Sequence, residues 1–181
     1  MSEPPSPNVG ADAVTVVGSD EQTVVDVDVP RWCRLAHAVV DDDGRRGELT
    51  LTFVERDEIA ELNHEHLHEL GPTDVLSFPL DADLDPADGS VAGPPVLLGD
   101  VVVCPAVAAE QAPAHAGTLD DELALLVVHG VLHVLGHDHV TPSEAARMRT
   151  LELRLLQAHH WHGHAPRAFR QKHSPAAEAS R

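Results

Sequence analysis

His129-Gly130-Val131-Leu132-His133-Val134-Leu135-Gly136-His137-Asp138-His139 sets two histidines four residues apart, then a glycine, then a further histidine. On a helix, His129 and His133 lie on one face a turn apart, close enough to share one ion. Gly136 accepts the left-handed backbone that ends a helix, and the returning chain brings His139 beneath the same ion. Three neutral imidazoles leave one tetrahedral position for water, which is the pattern of a catalytic zinc site rather than a closed structural one. Taken singly, His129 or His133 reads as a hydrogen-bonded core histidine. With Gly136 and His139 in register, the stretch reads as a metal centre.

Leu123, Leu125, Leu126, Val127, Val128, Val131, Leu132, Val134 and Leu135 make the helix apolar nearly all round, so it is expected to be buried. Thr118 and Asp121 supply a capping-box start. The spacing H-x3-H-x5-H is that of the metzincin proteases, which carry Glu directly after the first His as general base. Here that position is Gly130, so a peptidase is the weaker reading.

These residues resemble the HGxLHLxGYDH signature of the YbeY-type bacterial rRNA maturation factors. Leu62-Asn63 with Pro72-Thr73-Asp74-Val75-Leu76-Ser77-Phe78-Pro79 is similar to that family's LN and PTDVLSFP block, and Leu98-Gly99-Asp100-Val101 to its LGDI strand. The likeness runs in order over about residues 47 to 157. It implies a metal-dependent, single-strand-specific endoribonuclease acting in rRNA maturation at the 16S 3′ end and in ribosome quality control. Metal ligands would then be His129, His133 and His139. Two positions depart from the pattern: His137 replaces the turn aromatic and reads as a packing variant, with an extra ligand or hydrogen-bond donor as the alternative. Leu67 stands where many members carry a basic residue, so a mechanism relying on an arginine there is not carried over.

Outward from this block, 181 residues suffice for one domain with a real core. With 3% aromatics and no Tyr, that core is expected to be Val, Leu and Ala. Residues 1 to 12 are Pro- and Ser-rich and read as disordered, residues 13 to 158 as the domain, and 159 to 181 as a flexible His/Arg-rich tail. Strands are expected at Ala13 to Val17, Thr23 to Val29, Leu49 to Val54, Val75 to Phe78 and Val96 to Cys104, with a polar loop at 80 to 95. Helices are expected from Pro30 through Val40, around Ile59 to His66, from Pro105 to about Ala112, and from Thr141 through Leu156. The fold class is α+β, a small mixed sheet with helices packed on it and a metzincin-like metal helix.

His64 and His68 are also four apart, but no helix stop places a third ligand and their surroundings are Glu-rich. They read as surface histidines. Cys33 and Cys104 read as reduced thiols, and with no apolar run of 18 residues and no leader pattern the chain is expected in the cytoplasm, away from membranes.

Net charge is −18, the wrong sign for RNA affinity built on counterion release. Residues 1 to 146 carry 28 acidic and 5 basic residues, against 2 and 7 afterwards, and no Lys or Arg lies between Arg56 and Arg147. An RNA-facing side is therefore sought at Arg147, Arg149, Arg154, Arg167, Arg170 and Lys172, with Trp161 and Phe169 to stack on bases. The competing view makes the helix arginines a solvent face.

The expected cofactor is one Zn2+, with other divalent metals accepted by three imidazoles. The expected partners are an rRNA precursor and the ribosome, with no DNA. No general base is evident; Asp138 is the weak candidate, either as base or as the group orienting a ligand ring, and Asp74 and Asp100 share that ambiguity. The alternatives to an endoribonuclease are a metal-dependent protease and a non-enzymatic ribosome-assembly factor with a structural metal.

Overall fold

A computed structural model describes residues 13–80 and 96–172; the segments 1–12, 81–95 and 173–181, including the N-terminal stretch, the polar loop and the last part of the tail, lie outside the described residues. The element order is β1 (Val14–Asp20), α1 (Val29–Asp43), β2 (Gly47–Phe53), α2 (Arg56–Leu67), β3 (Val75–Pro79), β4 (Leu97–Val103), α3 (Pro105–Gln111), a 3₁₀ turn (Ala112–Ala114), α4 (Leu119–Val134) and α5 (Pro142–His159). The expected strand over Thr23 to Val29 does not form. Gln22 folds that segment into a loop, its Oε1 accepting from Val24 and Val25 N–H (2.9 Å each) and its Nε2 donating to Val25 O (2.7 Å), and Asp28 then caps α1.

The four strands form one mixed sheet in the order β1-β2-β4-β3. β1 with β2 and β2 with β4 run parallel, while β3 is an antiparallel edge on β4. Alternation along β2 sends Leu49, Leu51 and Phe53 to one face, where they meet α1 and α4 in the main core. Of the aromatic residues only Trp32 and Phe53 are fully buried among the described residues, and Val, Leu and Ala fill the rest, as the composition implies. A smaller core of Val54, Ile59, Leu76, Val102, Cys104 and Val107 lies under α2 on the other side.

α4 is the centre of the domain, with residues Leu123 to Val134 all buried. Its contact with the sheet is close: a Cβ built on Gly130 would lie 2.7 Å from Val101 Cγ1 and 3.2 Å from Val75 Cγ2. Glycine there lets helix and strands approach, and Ser77 Oγ donates to the Gly130 carbonyl (3.1 Å). No helix is long and apolar enough to cross a membrane among the described residues.

Candidate metal centre

Local signals place the three histidines. Thr118 caps α4, its Oγ1 accepting from Asp121 N–H (3.1 Å), and the helix runs unbroken through His129 and His133. It ends in a Schellman motif: Gly136 (φ +87) donates to His133 O (2.9 Å) and His137 N–H donates to Leu132 O (2.9 Å). The chain reverses, and Asp138 Oδ1 accepts from His139 N–H (2.7 Å), fixing the residue that returns to the helix.

The result is a convergence of ring nitrogens. His133 Nε2 lies 3.2 Å from His129 Nε2 and 3.0 Å from His139 Nε2, and one ligand atom from each of the three falls within 4.8 Å of the others. His129 is 1% exposed and His133 8%. His129 Nδ1 sits 2.7 Å from Glu152 Oε1, so its proton is on Nδ1 and its Nε2 presents a lone pair to the cluster. His133 Nε2 then holds either one proton or one lone pair and cannot satisfy both neighbours by hydrogen bonding. A shared cation can: a tetrahedral zinc with Zn–N near 2.0–2.1 Å needs nitrogens about 3.4 Å apart. Burial, reinforced by His129 and His139, pushes the His133 ring pKa down to about 3, which keeps it neutral and able to donate its lone pair near pH 7. The donor set therefore fits a borderline or soft divalent ion.

Glu152 is the residue that sequence reasoning missed. It is 0% exposed on α5, and its carboxylate orients the His129 ring, the part that had been sought at Asp138. The signal was available in the spacing: Met148, Glu152, Leu155 and Leu156 share the buried stripe of α5, and a carboxylate in such a stripe needs a partner. Asp138 braces the loop through its Oδ1.

Asp74 is wholly buried, its Oδ1 accepting from Thr73 Oγ1 (3.1 Å) and Val75 N–H (2.9 Å), a local bond that shapes the entry to β3. Asp100 lies between Gly99 and Val101, both of which face α4, so it points to the opposite face of the sheet. There it lines a 740 Å³ cleft with Thr52, Val102, Leu62 and Phe78, separated from the histidines by the sheet. Asp100 is therefore not placed to act as a base at the histidine cluster. His137 is not an extra ligand either, since its Nε2 meets Asp43 Oδ1 (2.9 Å) at the end of α1. Gly130, where a metzincin has its Glu, is closed by Val101 and Val75 and has no room for a carboxylate.

The basic side is only partly as expected. Arg147 and Arg149 are exposed on α5, whereas Arg154 is held by both oxygens of Asp42 (3.1 and 2.5 Å). Trp161 and Phe169 meet each other edge-to-face at 4.8 Å, half-buried against the core, and Trp161 Nε1 donates to Asp121 Oδ1 (2.6 Å), so both rings are engaged with the body of the protein.

The family model described as Endoribonuclease YbeY matches residues 19–160. A Salinispora tropica protein named Endoribonuclease YbeY is 46% identical over 137 residues, covering 72% of this chain and 87% of its own. A Beutenbergia cavernae protein of the same name is 42% identical over 137 residues, covering 75% of this chain and 91% of its own. A Thermotoga maritima protein known from its solution structure shares the fold, with a TM-score of 0.52 at 23% identity over 82% of this chain and 91% of that one.

Proposed function

Since the chain belongs to the endoribonuclease YbeY family, we propose that it is a metal-dependent, single-strand-specific endoribonuclease. Its task in this reading is rRNA maturation at the 16S 3′ end and ribosome quality control in the cytoplasm, with an rRNA precursor and the ribosome as partners. His129, His133 and His139 hold one ion, Zn2+ by the chemistry of three imidazoles, with other divalent ions accepted. The observation that carries the metal reading is the convergence of three Nε2 atoms, two of them 3.0 and 3.2 Å from the third, with His129 held from behind by a buried carboxylate.

When bound, the ion supplies Lewis acidity for phosphodiester chemistry. The chain's own residues do the rest: Glu152 fixes the tautomer of His129, burial keeps His133 neutral, and the Gly136 turn with Asp138 presents His139. With no Lys or Arg between Arg56 and Arg147, exposed Arg147 and Arg149 on α5 are the basic groups that follow the ligand loop most closely in the chain and would meet the RNA backbone.

The blocked space at Gly130 favours the nuclease over the protease, because no carboxylate can stand after the first ligand. The test is a paired assay of zinc-loaded protein on a single-stranded RNA, the same strand in a duplex, and unstructured casein. Cleavage of the single strand alone is expected; cleavage of casein, lost in His133→Ala, would return the protease reading.

A further inference from the structure

The family match ends at residue 160, yet the chain beyond it returns to the metal centre. His160 Nε2 and Trp161 Nε1 both meet Asp121 Oδ1 (2.9 and 2.6 Å), tying the segment to the start of α4. Phe169 packs on Trp161, and Arg170 N–H donates to His115 O (3.0 Å). The next residue, Gln171, reaches α5: its Nε2 donates to Arg149 O (2.8 Å) and to Glu152 Oε2 (2.5 Å). Both partners are acceptors, which fixes the orientation of the amide and uses both of its N–H groups. The other oxygen of the same carboxylate receives His129 Nδ1–H at 2.7 Å.

We infer that Gln171 is a positioning residue of the metal centre, acting through Glu152 on His129; this rests on the metal reading above. Glu152 is 0% exposed, and the amide spans Arg149 and Glu152 one turn apart on the helix. It holds the carboxylate in the rotamer that accepts from His129. Taking one hydrogen bond from a buried carboxylate leaves it freer to rotate, which loosens the bond that aims the His129 lone pair. The residues after α5 thus complete the site as well as covering the core.

Cobalt(II) is the probe, because its visible absorption reports the ligand field and its release to a chelator reports affinity. Full-length protein is compared with Gln171→Ala, Gln171→Glu and the neighbouring control Arg170→Ala, whose guanidinium meets the Arg167 and Phe169 carbonyls. Gln171→Ala is expected to release cobalt about 10-fold faster, at the low end of losses for outer-shell partners, with a shifted band. Gln171→Glu, which sets one carboxylate against another, is expected to release it at least as fast, while Arg170→Ala behaves as wild type. Wild-type behaviour in both Gln171 variants overturns the inference, and so does equal loss in Arg170→Ala, which would mean packing alone. Wild-type protein that takes up no cobalt is a separate failure, that of the metal reading itself.

Discussion

The chain carries two histidine pairs at the same spacing, His129/His133 on α4 and His64/His68 on α2, and the fold uses them in opposite ways. α4 continues past His133 inside the core, both rings are buried, and the turn after Gly136 delivers a third ring. α2 stops at Leu67, so His68 is its cap in the left-handed conformation (φ 58), donating its N–H to His64 O (3.1 Å), and both side chains are exposed. Between them His66 lies edge-on to Phe78 at 4.8 Å, a packing contact. A spacing of four is therefore only a precondition. What makes a site is a helix that runs through both residues, burial that strips water from their nitrogens, and a chain reversal that supplies the remaining ligand.

Substitutions sharpen that contrast. His133→Ala is expected to abolish metal binding and reduce RNA cleavage by about 10³-fold or more, as loss of a metal ligand at a catalytic site does. His68→Ala is expected to leave both unchanged, read by metal content after dialysis and by cleavage rate; a loss in His68→Ala would break the comparison. Glu152→Gln keeps the shape but removes the charge facing His129, and metal affinity measured by chelator competition is expected to fall by about 10–100-fold.

Gly130→Ala drives a methyl group to 2.7 Å from Val101 and should cost about 1–3 kcal/mol in urea unfolding, in line with overpacked cores. A neutral result there would remove the packing explanation for the missing carboxylate. The smallest expected effect is one of pH. Burial alone would raise the Asp121 pKa, but hydrogen bonds from Trp161, His160 and Thr118 outweigh it and leave the carboxyl below its ordinary range. As pH falls the unfolded chain takes up this proton first. The stabilisation is therefore full above the ordinary Asp value of about 3.9 and is lost as pH falls below it. Wild-type stability should fall more steeply than that of Asp121→Asn in this acid range, measured by urea midpoints; parallel curves would mean that the Asp121 bonds do not hold the segment after α5 to the start of α4.

Much of this was legible in the sequence because it is written in local chemistry. The period of α4, the Thr118 cap, the Gly136 stop and the Pro30, Pro105 and Pro142 helix starts each act within a turn or two of their own position. What was not legible acts across distance. Glu152 comes to His129 from another helix, and Gln171 comes to Glu152 from beyond the last one, so neither pairing has a spacing to read. Asp138 drew attention by adjacency, and its Oδ1 accepts from the N–H of the next residue, His139. Trp161 and Phe169 looked free because the sequence around them is polar, whereas the start of α4 offers Asp121 as an acceptor and a core surface beside it. The Thr23 to Val29 strand failed because Gln22 and Asp28 hold that stretch in a loop and a helix cap.

The most direct measurement is cleavage of a structured rRNA fragment carrying an unprocessed 3′ extension by metal-quantified protein, beside His129→Ala, His133→Ala and a chelated control, with far-UV circular dichroism on each. Cleavage that rises with bound metal, disappears in both variants and in the chelated sample, and does so while the helical signal persists, is the predicted result. Equal cleavage by wild type and variants, or none by fully loaded wild type, would contradict a catalytic metal at His129, His133 and His139.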